Sequence, residues 1–102
     1  MQEINATQWQ EKIVEDVNAV ILDVRTDEEC QEGMIPGSRQ LNILDPALFM
    51  EKAQQLDPTK KYYVYCRSGG RSAQACAVLQ SLGIKNTFNL IGGITEWDGP
   101  IE

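Results

Sequence analysis

The amino-acid sequence predicts a small α/β fold, doubly wound about a mainly parallel sheet with helices on both faces. Three observations carry the prediction. Short apolar runs alternate with amphipathic stretches at close spacing, which is the pattern of strand–helix–strand units. The runs Val20-Ile21-Leu22 and Tyr62-Tyr63-Val64-Tyr65 are continuously apolar or aromatic, as strands covered on both faces are. Glycine and proline fall between the periodic segments and not inside them.

Taken in order, residues 6–17 place Trp9, Ile13 and Val17 at four-residue intervals, predicting an amphipathic helix with Trp9 in the core. Thr7 and Gln10 are spaced for a capping box. Residues 20–25 form a strand that ends in Asp23 and Arg25, at the carboxyl edge where α/β sheets place their sites. An ion pair that fixes the next turn is the leading reading of these two residues, and direct contact with substrate is the other. Thr26 caps a short helix with Asp27, Glu28 and Glu29 in its first turn, and Gly33 stops it. Ile35-Pro36-Gly37 is a turn, and residues 38–43 are a short strand. Asp45-Pro46 opens a helix whose Leu48, Phe49, Lys52 and Leu56 share a core-directed face, and Asp57-Pro58 ends it. After the strand 62–65 and a loop, the helix formers from Ser72 to Leu82 make a further helix, stopped at Gly83. Residues 86–91 are a last strand alternating Thr87 and Asn89 with Phe88 and Leu90, and Ile94–Trp97 a final helical turn.

Composition narrows the class. A chain of 102 residues is one domain, spanning residues 1–102, and such a chain buries somewhat over ~60% of its unfolded surface. A net charge of −6 argues against nucleic acid as partner. No apolar run approaches a membrane span, and Glu3, Glu11, Glu15 and Asp16 stand where a signal peptide would be basic and then greasy. A cytoplasmic protein with no membrane partner is the expectation. The three cysteines are then free thiols, and three scattered cysteines without histidine make zinc or another metal site a poor fit. With no histidine, no Cys-His or Ser-His-Asp device is available.

The chemistry concentrates in residues 66–72, Cys66-Arg67-Ser68-Gly69-Gly70-Arg71-Ser72. A cysteine at a strand-to-helix turn sits where backbone N–H groups converge and the helix dipole is positive, and both favour thiolate over thiol. Gly69 and Gly70 let N–H groups point at the sulfur, while Arg67 and Arg71 offer forked donors to an oxyanion. These features make Cys66 the candidate nucleophile, with Arg67, Ser68, Gly69, Gly70, Arg71 and Ser72 as substrate-binding residues. Four residues separate Cys66 from Arg71. Protein tyrosine phosphatases enclose one more, so this tighter loop suits a single bound sulfur better than a phosphate.

The chain resembles the rhodaneses, single-domain sulfurtransferases of the thiosulfate type. Leu22-Asp23-Val24-Arg25 with Glu29, Gly33 and Ile35-Pro36-Gly37-Ser38 is similar to their amino-terminal signature, residues 66–71 to their active loop, and Gly92-Gly93-Ile94-Thr95-Glu96-Trp97 to their carboxyl-terminal signature. Met34 stands where the family usually has histidine, and Cys30 where it has an aromatic. The resemblance implies a sulfurtransferase that moves sulfur from thiosulfate or another small anionic donor to cyanide, a thiol or a protein acceptor through a Cys66 persulfide. It implies no cofactor. Arg67 and Arg71 would hold the donor, and Ser68 and Ser72 would add hydroxyl donors. A binding or sensing module without turnover, or a cysteine-dependent phosphatase or arsenate reductase, are the alternative readings. Cys76, on the face of Leu79 and Leu82, is core; Cys30 is either an apolar filler or a second thiol that resolves a Cys66 intermediate.

Overall fold

Five strands lie in the order β1–β5–β4–β2–β3 in a computed structural model that describes residues 1–102, and every neighbouring pair is parallel. Along the chain these are β1 (Gln2–Ile4), α1 (Ala6–Glu15), β2 (Ala19–Asp23), α2 (Asp27–Gln31), β3 (Arg39–Gln40), α3 (Pro46–Ala53), β4 (Lys61–Tyr65), α4 (Gly70–Ser81) and β5 (Thr87–Leu90), followed by a 3₁₀ turn at Gly93–Glu96. The expected α/β architecture is present. No helix is long and apolar enough to cross a membrane.

The central strand β4 shows why both faces must be covered. Successive side chains on a strand point to opposite sides. Tyr62, Val64 and Cys66 enter one core with Phe49 and Ala53 of α3 and Ala75, Cys76 and Leu79 of α4. Tyr63 and Tyr65 enter the other, with Ile4, Trp9, Phe88 and Leu90. Trp9 meets Tyr63, Tyr65 and Trp97 edge-on, and Tyr63 stacks on Phe88 at 4.5 Å. Trp9 is core, as expected.

Several boundaries differ from the sequence reading. Helix α1 is capped by Asn5, whose side chain accepts from Gln8 N–H while Gln8 accepts from Asn5 N–H, so the capping box is Asn5/Gln8 and not Thr7/Gln10. The helix ends at Glu15, and Val17 lies outside it, 96% exposed. Strand β1 is three residues long and two of them are polar, which hid it. The strand expected at 38–43 pairs fully only at Arg39–Gln40, but Leu41 N–H and Ile43 N–H still bond to the carbonyls of Asp23 and Val24. In α3 the Asp45 cap and first-turn Pro46 are as read, whereas Leu48 is largely exposed and Phe49 and Ala53 are buried. Helix α4 begins two residues before Ser72, at Gly70. Strand β5 is buried at all four positions, so Thr87 and Asn89 face protein and not water.

Leu79, fully buried between α4 and the sheet, sets the expected cost of opening this core. Leu79→Ala lowers unfolding free energy by about 3 kcal/mol in urea titrations, whereas Val17→Ser changes it by less than about 0.5 kcal/mol.

Candidate active site

The carboxyl ends of β2, β4 and β5 lie side by side in the sheet, and the site is built where they emerge. Cys66 follows the last residue of β4 and is 1% exposed. Residues 67–69 then fold back before α4 begins. Gly69 adopts φ 113°, a left-handed value that a side chain resists, and this turn brings its N–H to 3.0 Å from Cys66 Sγ. The Ser72 hydroxyl lies 3.3 Å from the same sulfur.

The loop is fastened from the far end of the chain. Ile94 N–H bonds to the Cys66 carbonyl at 3.0 Å, and Thr95 donates to the Arg67 carbonyl through its N–H and, at 2.6 Å, its hydroxyl. Gly93 packs so close beneath that a Cβ there would stand 2.4 Å from the Arg67 carbonyl oxygen. The two carbonyls are thereby turned toward the 3₁₀ turn and bonded there. Asn89 of β5 supports the other side, donating to the Gly69 carbonyl at 3.2 Å and accepting from Ser72.

Burial pushes the Cys66 thiol up, but hydrogen bonds from the Ser72 hydroxyl and from the N–H groups of Ser72, Gly69 and Ser68 outweigh it and hold the thiol below its ordinary value. The other thiols go the opposite way. Burial, and then the Asp23 carboxylate, push Cys30 up to about 12. Burial pushes Cys76 up to about 11. Of the three thiols, Cys66 is the one whose surroundings favour the thiolate, and Cys30 fits the filler reading better than that of a resolving thiol.

The arginines have separate situations. The Arg71 fork is engaged on Glu29 at 2.7 and 2.9 Å, and Glu29 also closes a capping box with Thr26. The hydrogen bonds from Arg71 prevail over burial and hold the Glu29 carboxyl down at about 2. Arg67 is exposed and forms no ion pair; it lines a cleft of about 330 Å³ with Arg25, Glu29, Glu32, Ile94 and Thr95. Of the two, Arg67 is the one whose guanidinium is unengaged.

Asp23 and Arg25 form the ion pair that the sequence favoured. Both are buried; Arg25 Nε and Nη2 straddle the Asp23 carboxylate, Tyr65 donates its hydroxyl to it, and Nη2 reaches the Gly33 carbonyl at 2.6 Å. The pair ties the end of β2 to the turn after α2 and to β4. Ser68 contributes its N–H to the sulfur, and Gly70 starts α4, so every loop residue named from the sequence lies at this edge. Asn89 and the Glu29 latch were missed. Asn89 looked like the wet side of a half-buried strand, and its burial depends on partners that no local pattern shows.

Comparison with known proteins gives the family of the chain. The rhodanese-like domain matches residues 6–99. YtwF of Bacillus subtilis (strain 168) is 40% identical over 99 residues, covering 97% of this chain and 92% of that protein. A protein of Allochromatium vinosum named sulfurtransferase is 34% identical over 95 residues, covering 93% and 86%. The crystal structure of a rhodanese-like domain protein from Staphylococcus aureus superposes with a TM-score of 0.86 at 30% identity, covering 100% of this chain and 97% of that one. The chain belongs to the rhodanese-like domain family. Its relatives include a protein named sulfurtransferase.

The Glu29 latch has a pH signature. A carboxyl held down in the folded state adds stability that is complete above its unfolded value and is lost as pH falls toward the folded one. Wild type therefore loses on the order of 1 kcal/mol between the ordinary glutamate value of about 4.3 and about 2. Glu29→Gln removes that part of the acid limb, as measured by denaturant titration at a series of pH values.

Proposed function

We propose that the protein transfers sulfane sulfur through a persulfide on Cys66, with thiosulfate or a similar small anion as donor and cyanide, a thiol or a protein thiol as acceptor. The observation that carries this reading is the ring of donors on Cys66 Sγ, which is the one thiol of three held below its ordinary value.

In the first half-reaction the Cys66 thiolate attacks the outer sulfur of thiosulfate. An Sγ–S bond forms, the S–S bond of the donor breaks, and sulfite departs with the electron pair. The terminal sulfur of the persulfide is anionic at neutral pH, and inward N–H groups at the start of α4 suit it. In the second half-reaction the acceptor's thiolate or cyanide carbon attacks that terminal sulfur, the Sγ–S bond breaks, and the pair returns to Cys66. Arg67 draws the anionic donor to the loop, while Arg71, Glu29, Asp23 and Arg25 keep the loop in shape. Neither half-reaction calls for a metal or organic cofactor, because sulfur is both nucleophile and cargo.

Incubation with thiosulfate is expected to add one sulfur atom to the intact protein by mass, and Cys66→Ala to abolish the addition; a wild type that takes up no sulfur from any donor overturns the reading. Cyanide-dependent thiocyanate formation separates turnover from mere binding. Arg67→Ala is expected to raise KM for thiosulfate by about tenfold, the loss of one charge-assisted contact, with kcat changed far less, as read from steady-state thiocyanate production.

A further inference from the structure

The Ser72 hydroxyl has one proton and three acceptors within reach. Cys66 Sγ lies at 3.3 Å, the Gly69 carbonyl at 3.1 Å, and Asn89 Oδ1 closest of all. All of this is away from water, with Ser72 0% and Asn89 2% exposed. The Asn89 amide cannot be turned round without loss. Its Nδ2 donates to the Gly69 carbonyl at 3.2 Å and to Glu3 Oε1 at 3.3 Å, so a flipped amide would set its oxygen against two acceptors. Asn89 therefore presents an acceptor to Ser72, and the Ser72 proton is the only donor that meets it there. The charged groups around this set are Glu3, bonded to Asn89, and Arg71, held by Glu29.

We propose that Asn89 is a positioning residue that competes with Cys66 for the Ser72 proton and so switches the hydroxyl between two settings during sulfur transfer. While Sγ is uncharged, as thiol or as the inner sulfur of a persulfide, the hydroxyl rests on Asn89 Oδ1. When Sγ carries the charge, before it attacks and as it departs from the terminal sulfur, the hydroxyl rotates onto it. No covalent bond to the hydroxyl changes; the charge on Sγ decides where one proton points. Asn89 thus keeps the thiolate from being over-stabilised, which preserves its nucleophilicity, while leaving a donor one rotation away for the departing sulfur.

The inference rests on Cys66 as the sulfur-carrying nucleophile, but its test reads the thiolate without any sulfur transfer. The pH dependence of iodoacetamide alkylation, followed at the Cys66 peptide by mass spectrometry, reports the thiolate midpoint. Asn89→Leu frees the proton for sulfur, and the midpoint is expected to fall by about half to one pH unit. In a Ser72→Ala background the same substitution is expected to move the midpoint far less, since only the support of the Gly69 carbonyl is then lost. A midpoint that is unchanged or raised by Asn89→Leu, or a shift of equal size without Ser72, overturns the proposal, since the residue then acts through the loop backbone or not at all. Asn89→Ala removes the same acceptor without adding bulk and serves if the leucine variant fails to fold by circular dichroism. It too frees the proton, so the midpoint falls, and by more with Ser72 present than absent; an equal fall in both backgrounds also overturns the proposal. Coupling that is intact in a protein that takes up no sulfur would count against the transfer reading alone.

Discussion

The contact on which the site depends is the hydrogen bond from Gly69 N–H to Cys66 Sγ, and it exists only because the chain reverses within three residues. A left-handed glycine makes the reversal possible, but conformational freedom alone would leave the loop mobile. Three separate parts of the chain remove that freedom. The 3₁₀ turn engages the carbonyls of Cys66 and Arg67, Asn89 holds the carbonyl of Gly69, and Arg71 is clamped to Glu29 of α2. Backbone donors preorganised in this way need not reorient when charge appears on sulfur, which is what makes them effective in a site shielded from water.

Electrostatics then separates three chemically identical thiols. All three lose solvation on folding, which favours the neutral form. Only Cys66 recovers more than it loses, because four donors face it; Cys30 faces the Asp23 carboxylate instead. The same carboxylate, bound by Arg25 and Tyr65, braces the strand ends that carry the loop. The Asp23–Arg25 pair is thus engaged within the fold, beside the cleft that Arg67 lines. In an acidic protein, Arg67 is left as an unpaired positive charge at the mouth, suited to steering an anion.

Much of this was legible before the structure. The doubly covered strands announce themselves by composition, since β4 has no polar face to give it a period of two. Cys66 stands out because strand end, glycines and arginines coincide. What could not be read depends on tertiary partners. Nothing local distinguishes Arg71, engaged on a carboxylate from α2, from Arg67, which is free. Asn89 alternates with apolar neighbours as a solvent-facing residue would, and only the placement of β1 beyond β5 and of the loop above it makes it buried. The misplaced capping box has a similar origin: Thr7/Gln10 and Asn5/Gln8 both satisfy the spacing, and the position of the chain entering from β1 selects the latter. Val17 keeps the helical spacing of Trp9 and Ile13, yet the chain has already left the helix at Asp16.

The central claim is that the donors gathered at the start of α4 hold the transferred sulfur on Cys66. A crystal structure after thiosulfate soaking tests it most directly. One additional sulfur bonded to Cys66 Sγ, within hydrogen-bond distance of the N–H groups of the 67–72 loop, is the outcome expected. An added sulfur on Cys30, or an unmodified Cys66 in crystals of protein whose mass has increased, would contradict it.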